Sequence, residues 1–528
     1  MNIYVVFLAL IIILCILLNK LSNRIGVPML LGFILLGMFF GSDGIVKIPF
    51  DNYGMAETVC SFGLIFIMFY GGFGTNWKKA RPIALKAILM SSLGVILTCL
   101  VTGLFCHYVL KIDFLESMLI GAIISSTDAA SVFSIFRSKK INLKYNTASL
   151  LEVESGSNDP FAYLLTVIFL SLMSGGMSGP DLMILALRQI LFGLLGGFIA
   201  GFLAVWILKK IDFISDGFDT IFVFAVALIA YGVVNLTGGN GYLSVYIAGI
   251  VLGNSNINNK KSLVSFFDGL TGLMQITIFF LLGLLCFTSQ FKDVVFEGLS
   301  IALFLTLIGR PLVSFLILKP LGASISQIIM VAFCGLRGAA SIVFSIMAIV
   351  SPAYTSYDVF HITFFIVLFS IALQGSLLIP VAKKLNMVDD KSDVMKTFTD
   401  YSDETLVEFI KLQLKDKHPW CNKKVKDINL IDDMLLVLII RGKEKIVPRG
   451  DTLLLKDDII VLSALSLNDN YDAVLKEIII DSDHEWVNKK LSEIKMDRGL
   501  VILIKRNSEI IIPKGDTVIE TDDVLVMS

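Results

Sequence analysis

The sequence predicts a polytopic α-helical membrane protein of about 13 transmembrane helices, built on inverted repeats with broken crossing helices, plus a cytoplasmic α+β domain. Three observations carry this. Hydrophobic residues make up 55% of the 528 positions and charged ones 17%, and the mean hydropathy is +0.81, a composition of membrane spans rather than of a soluble core. Long apolar segments fill the first 385 residues or so, while charged residues crowd the remainder. Two of the apolar segments are interrupted midway by small polar stretches, SSTDAAS and GLRGAAS. The expected division is a membrane domain at 1–385, a linker at 386–402, and two C-terminal modules at 403–466 and 467–528.

Apolar segments near spanning length lie at 3–19, 27–42, 58–74, 84–110, 114–136, 148–173, 183–208, 218–236, 240–253, 264–288, 295–318, 324–350 and 360–382. One set of alternate loops holds most of the Lys and Arg, among them Lys78, Lys79, Arg81, Arg137, Lys139, Lys140, Lys209, Lys210, Lys260, Lys383 and Lys384. The positive-inside rule puts that set in the cytoplasm, the N-terminus outside and the C-terminal modules inside. The first apolar run lacks a charged n-region and a cleavage site, and reads as a membrane helix rather than a signal peptide. A net charge of −1 gives no argument for nucleic acid, and the seven scattered cysteines suggest neither disulfides nor a zinc site. Gly193, Gly197 and Gly201 recur at four-residue spacing, as in closely packed membrane helices.

The stretch LLEVESGSNDPFAYLL at 150–165 organises the rest. A carboxylate deep in a bilayer costs a few kcal/mol, roughly 3, and so marks an ion path or a buried partner charge. Asp159 lies eleven residues into its segment, or about 16 Å, near mid-membrane. At helical spacing Glu152, Ser155 and Asp159 share one face, whereas Glu154 and Asn158 lie on a neighbouring one. Thr127 and Asp128 sit at similar depth, in a segment whose cluster of Gly121, Ser125, Ser126 and Thr127 is poor helix-forming material. An unwound piece is tolerated where it lines a cavity, and paired broken segments in opposed repeats are how secondary transporters build ion sites. This oxygen-rich set suits a hard monovalent cation. Asp159 is thus read as a carboxylate that holds a proton or a cation. Glu154 is assigned to a structural ion pair with Arg337, Arg310 to an interior carboxylate left unspecified, and Asp128 to either a water-mediated cation ligand or a helix-crossing group. No enzymatic centre and no resident cofactor are expected.

The C-terminal part repeats itself. HPWCNKKVKDINLIDDMLLVLIIRGKEKIVPRGDTLLLKDDIIVLS at 418–463 matches HEWVNKKLSEIKMDRGLVILIKRNSEIIIPKGDTVIETDDVLVMS at 484–528. Each unit reads as a short helix near the Trp followed by strands, with the P-x-G-D-T segment turning between them. Neither a GxGxxG after a strand nor a Walker loop is present, which disfavours a Rossmann nucleotide module and an ATP-driven pump.

SSTDAASVFS, ESGSNDP and GLRGA, in this order, resemble the motifs of the monovalent cation:proton antiporter family, NhaP-like branch. The repeated unit is similar to the C-terminal module of RCK-type potassium-transport regulators (TrkA-C-like). The resemblance implies thirteen helices, a homodimer in the bacterial plasma membrane, and exchange of K⁺ or Na⁺ for H⁺. It implies a metal site for a monovalent cation at Asp159, Ser155 and the Thr127 backbone, with Asp128 acting through water. Asn158 in place of a second aspartate is the pattern of the electroneutral branch. Many relatives carry an acidic residue where this chain has Tyr70, and that loss of charge points to K⁺ over Na⁺. In some relatives the repeated module binds cyclic di-AMP, so a regulatory nucleotide is implied. A ligand-gated cation channel is the competing class, though no TVGYG-like filter appears.

Overall fold

The computed structural model describes residues 2–25, 28–138, 141–175, 179–210, 217–257, 260–353, 355–389, 407–415, 418–430, 434–442, 444–465, 476–481, 484–494, 501–506, 509–511 and 513–527. The chain divides into two compact units, residues 1–404 and 405–528. The expected linker at 386–402 lies largely outside the described residues.

The first unit is all helix. α1 (Asn2–Ile25), α2 (Met29–Phe40) and α3 (Tyr53–Gly74) lead to α4 (Trp77–Ala80), α5 (Ala84–Ser91) and α6 (Leu93–Tyr108). Then come α7 (Phe114–Ile123), α8 (Ala129–Ser138), α9 (Thr147–Met173), α10 (Gly179–Lys210), α11 (Phe218–Leu236), α12 (Gly241–Gly253) and α13 (Lys260–Leu284). The last are α14 (Phe291–Phe304), α15 (Arg310–Leu318), α16 (Ile325–Phe333), α17 (Ala339–Val350), α18 (Val359–Phe369) and α19 (Gly375–Lys384). Helix occupies every expected apolar segment. By length and composition, 7 of the described helical stretches suffice to cross a membrane alone, and others are shorter.

Two expected segments are broken as their small polar stretches require. α7 stops at Ile123 and α8 starts at Ala129, while α16 stops at Phe333 and α17 starts at Ala339. The unwound pieces touch: the Asp128 N–H donates to the Leu336 carbonyl at 2.8 Å. Gly338 makes this approach feasible, since a Cβ there would stand 2.5 Å from that of Asp128. α14 and α15 are joined through a π-helical turn (Leu305–Gly309), and α18 and α19 through another (Ser370–Gln374).

α1–α3 pack with α10–α13, and α5–α9 with α14–α19. α9 and α17 meet α3 and α12 where the two groups join. The glycine stripe of α10 does what its spacing predicts. A Cβ at Gly197 would meet the Ser244 carbonyl at 2.5 Å, so these glycines let α10 lie directly on α12. Gly72 and Gly249 do the same between α3 and α12.

The second unit holds two antiparallel four-stranded sheets of the same topology. β1 (Val407–Gln413), β2 (Met434–Arg441), β3 (Glu444–Ile446) and β4 (Ile459–Leu465) follow the order β1-β4-β2-β3. β5 (Lys476–Ile479), β6 (Val501–Arg506), β7 (Glu509–Ile511) and β8 (Val524–Met527) follow β5-β8-β6-β7. Each sheet has its own apolar core, one around Ile439, Leu454 and Ile460, the other around Ile504, Ile519 and Leu525. The helix expected near each Trp is instead a turn followed by a 3₁₀ turn, Val425–Asp427 and Leu491–Glu493. Asn422 and Asn488 both adopt φ of 62°, a left-handed conformation that ends any helix there.

Candidate ion-binding site

α9 carries the site. Pro160 sits inside this helix without breaking it, but it lacks the N–H that would bond the Gly156 carbonyl, so a free acceptor is left one turn from Asp159. Asp159 is 8% exposed and accepts a hydrogen bond from the Ser126 hydroxyl, which belongs to the unwound piece after α7. Ser155 Oγ donates to the Thr127 carbonyl at 2.7 Å. Asn158 Nδ2 donates to Thr127 Oγ1 at 2.5 Å, and Asn158 Oδ1 has no hydrogen-bond partner among the described residues. The structure therefore gathers Ser126, Thr127, Ser155, Asn158 and Asp159 at one place, all oxygen-bearing. Among the described residues no Lys or Arg pairs with Asp159.

Asp128 caps its own helix. Its carboxylate accepts from the Ser131 N–H at 3.2 Å and from the Ser131 hydroxyl, which makes it the cap of α8. It remains within electrostatic reach of Asp159.

The expected Glu154–Arg337 pair is corrected. Glu154 is bonded by Arg310, and these two side chains are 1% and 2% exposed. Arg337 Nη1 donates instead to the carbonyls of Ser125 and Ser126 at 3.0 and 2.6 Å. The physical reason lies in the broken helix. The carbonyls of Ser125 and Ser126 lie in the unwound piece just past α7, beyond any helical donor, so the nearest guanidinium takes them up. Arg310, leaving the π-helical turn at the head of α15, is then the cation available to Glu154. The other helix end is also satisfied: Gln374 Nε2 donates to the Phe333 carbonyl at 2.7 Å, and Ser370 links Gln374 to the Arg337 backbone.

Sequence reasoning missed Ser126 and Tyr246. Ser126 stands in the polar stretch that foretold the break, but only the break shows which hydroxyl meets Asp159. Tyr246, in the apolar run of α12, gives no sequence signal. Its ring lies over Gly156, where a Cβ would come 2.7 Å from Cε2. Tyr70, where many relatives carry an acidic residue, donates to Asp268 of α13 at 3.1 Å.

This geometry can hold one small cation or one proton on Asp159, with neutral oxygens around it. The K⁺/H⁺ antiporter NhaP of Alkalimonas amylolytica is 32% identical over 470 residues, 88% of this chain and 82% of its own. The K⁺/H⁺ antiporter NhaP2 of Shewanella sp. (strain MR-4) is 30% identical over 84% of this chain and 78% of its own. In fold, the sodium proton antiporter MjNhaP1 of Methanocaldococcus jannaschii superposes with a TM-score of 0.64 at 25% identity, over 73% of this chain and 99% of that one. A TrkA-C domain model matches residues 410–466 and again 475–528. With the transmembrane sodium/hydrogen exchanger model matching residues 8–384, the chain belongs to the sodium/hydrogen exchanger family and carries two TrkA-C domains.

Proposed function

We propose that the protein exchanges a monovalent cation, K⁺ in preference to Na⁺, for H⁺ by alternating access, with Asp159 as the shared binding carboxylate. The observation that carries this reading is the buried Asp159 among hydroxyl, amide and carbonyl groups, with no basic side chain among the described residues paired to it. A lone carboxylate at this depth is stable when something positive sits on it. One proton or one cation serves equally, so each excludes the other and exchange is electroneutral. Ser155, the Thr127 carbonyl and Ser126 supply the further oxygens a hard cation prefers, while Asp128 acts through water and Asn158 orients Thr127. Preference for K⁺ is supported by the two K⁺/H⁺ relatives and by the TrkA-C pair.

The Lys-rich loops favour a plasma-membrane orientation with both C-terminal modules in the cytoplasm. There they would sense a ligand, for which cyclic di-AMP is the candidate, and the working unit would be a homodimer. The deciding experiment uses proteoliposomes with an imposed pH gradient and a fluorescent pH probe. Added K⁺ collapses the gradient in wild type, Na⁺ does so less well, choline does nothing, and Asp159→Asn abolishes the response. A gradient that neither cation collapses, with or without cyclic di-AMP, would end the antiport reading. A larger response to Na⁺ would reverse the selectivity.

A further inference from the structure

A cavity of about 450 Å³ lies between the start of α3 and the ends of α9 and α17. α3 runs towards Lys78 and α9 away from Lys144, so the cavity is on the side opposite the Lys-rich loops. Among the described residues that line it, Glu57 of α3 alone is charged. This side chain is half-buried and accepts from Ser61 Oγ at 3.3 Å, and no described Lys or Arg pairs with it. Ser171 and Ser174, one turn apart on α9, line the cavity as well. Both give their protons to their own helix, to the Val167 carbonyl at 2.8 Å and the Leu170 carbonyl at 2.9 Å. A hydroxyl so committed has only lone pairs left to offer an occupant.

The cavity reaches Val167, eight residues past Asp159, or about 12 Å along α9. Between them stands Tyr163, one turn from Asp159. Its ring packs on Tyr242 of α12 and Phe344 of α17, with centroids 5.1 and 5.8 Å away, and those two rings are 6.4 Å apart. One ring from each of three helices thus separates the cavity from Asp159. The cavity carboxylate is coupled to this layer: Ser61 also hydrogen-bonds Tyr242, and Glu57 acts electrostatically on Tyr163.

We propose that this cavity is an entry vestibule for the hydrated monovalent cation on the side away from the Lys-rich loops, with Glu57 as the carboxylate that draws it in. The proposal rests on the antiport reading. At roughly 30 Å³ per water, the space holds a cation with its hydration shell. A single negative charge between mostly apolar walls focuses its field and raises the local concentration of cations. The serine lone pairs favour the same occupant, and nothing in the wall favours an anion.

The test is K⁺-driven proton flux by the full-length protein in proteoliposomes of uniform orientation, with K⁺ supplied at either face. At limiting K⁺ on the face away from the C-terminal modules, Glu57→Gln slows exchange at least about fivefold. With K⁺ on the modules' face the slowing is less than about twofold. Choline chloride raised from about 0.01 to 0.15 M shortens the Debye length from about 30 to 8 Å. It therefore slows the wild type at the first face and narrows its difference from Glu57→Gln. Glu57→Asp keeps most of the wild-type rate and its salt dependence, whereas a merely structural role would slow both faces and ignore salt. A Glu57→Gln rate equal to wild type, or equal slowing at both faces, overturns the vestibule while antiport stands. Ser171→Cys provides a second measurement should the Glu57 variant fail to fold. An impermeant cationic thiol reagent at the first face slows this variant at limiting K⁺ and spares the wild type, whose cysteines are buried except Cys421 in the C-terminal modules. Exchange unaffected by the reagent also overturns the vestibule. A wild type without exchange overturns antiport and vestibule together.

Discussion

Glu154 and Asp159 sit five residues apart on one helix and are both buried, yet their surroundings are opposite. Glu154 meets the Arg310 guanidinium; Asp159 meets a serine hydroxyl. The first carboxylate is compensated permanently by the protein, and the second, in the exchange proposed above, only by whatever occupies the site. One helix can therefore hold a structural charge and an exchangeable one, the difference resting on which neighbours the chain breaks deliver.

The largest expected effect comes from breaking the compensated side. Arg310→Met leaves Glu154 charged and unpaired in the interior, and removal of one partner of a buried pair costs about 3–5 kcal/mol. The variant should lose most of its thermal stability in detergent, read as a fall in unfolding temperature and in monodispersity. The double variant Glu154→Gln/Arg310→Met should recover most of it. Asp159→Asn, in contrast, removes a charge with no permanent partner and should leave stability unchanged or higher. If the double variant stays as unstable as the single, Glu154 is not compensated by Arg310 and the comparison fails.

A middle-sized effect is expected at Arg337, which caps carbonyls rather than a carboxylate. Arg337→Met leaves no buried charge behind but strands the carbonyls of Ser125 and Ser126, which share the one donor nitrogen Nη1, at about 1.5–3 kcal/mol for that charged donor. Its unfolding temperature should fall less than that of Arg310→Met. A larger fall would mean that Arg337, and not Arg310, carries the principal interior charge compensation.

Much of this was legible in the sequence because a membrane makes polarity expensive. Ser125, Thr127, Asp128, Asn158 and Asp159 are conspicuous where apolar residues are the rule, and the polar stretches at 125–128 and 335–341 announced both helix breaks. The choice of partner was not legible. Arg310 and Arg337 lie at comparable distance in sequence from Glu154, and only the carbonyls of the unwound piece after α7 decide which guanidinium is used up. The C-terminal repeat was plain residue by residue, but its helix was misread, because an Asn at φ of 62° looks in sequence like any other polar helix residue. Tyr246 was hidden for the reverse reason: a tyrosine in an apolar run is ordinary, and its significance lies in the Gly156 opposite.

The smallest effect extends the comparison to carboxylates compensated outside the membrane. Asp458 is fully buried and accepts from Arg441 Nε and Nη2 at 2.8 Å each, and from the Leu455 N–H at 2.8 Å. Asp523 repeats this with Arg506 at 2.8 and 2.7 Å and the Glu520 N–H at 2.8 Å. Burial alone would raise both carboxyls, but the arginine hydrogen bonds, the N–H and the arginine charge together hold them below the usual range. A folded value below the unfolded one, about 3.9, means the stabilisation is complete above roughly pH 4–5 and disappears as pH falls through the folded value. Asp458→Asn should therefore loosen its sheet at neutral pH and narrow its difference from wild type in acid. Arg441 is 36% exposed and water can take over its charge, so the loss is about 1–3 kcal/mol, below that of Arg310→Met. Amide hydrogen exchange in the full-length protein checks this: β4 should exchange at least about fivefold faster, 1.4 kcal/mol being a factor of ten. Asp523→Asn should act in the same way on β8. Since each sheet has its own core, each variant should spare the other sheet. Loosening of both sheets by either substitution would show that the two modules fold as one cooperative unit.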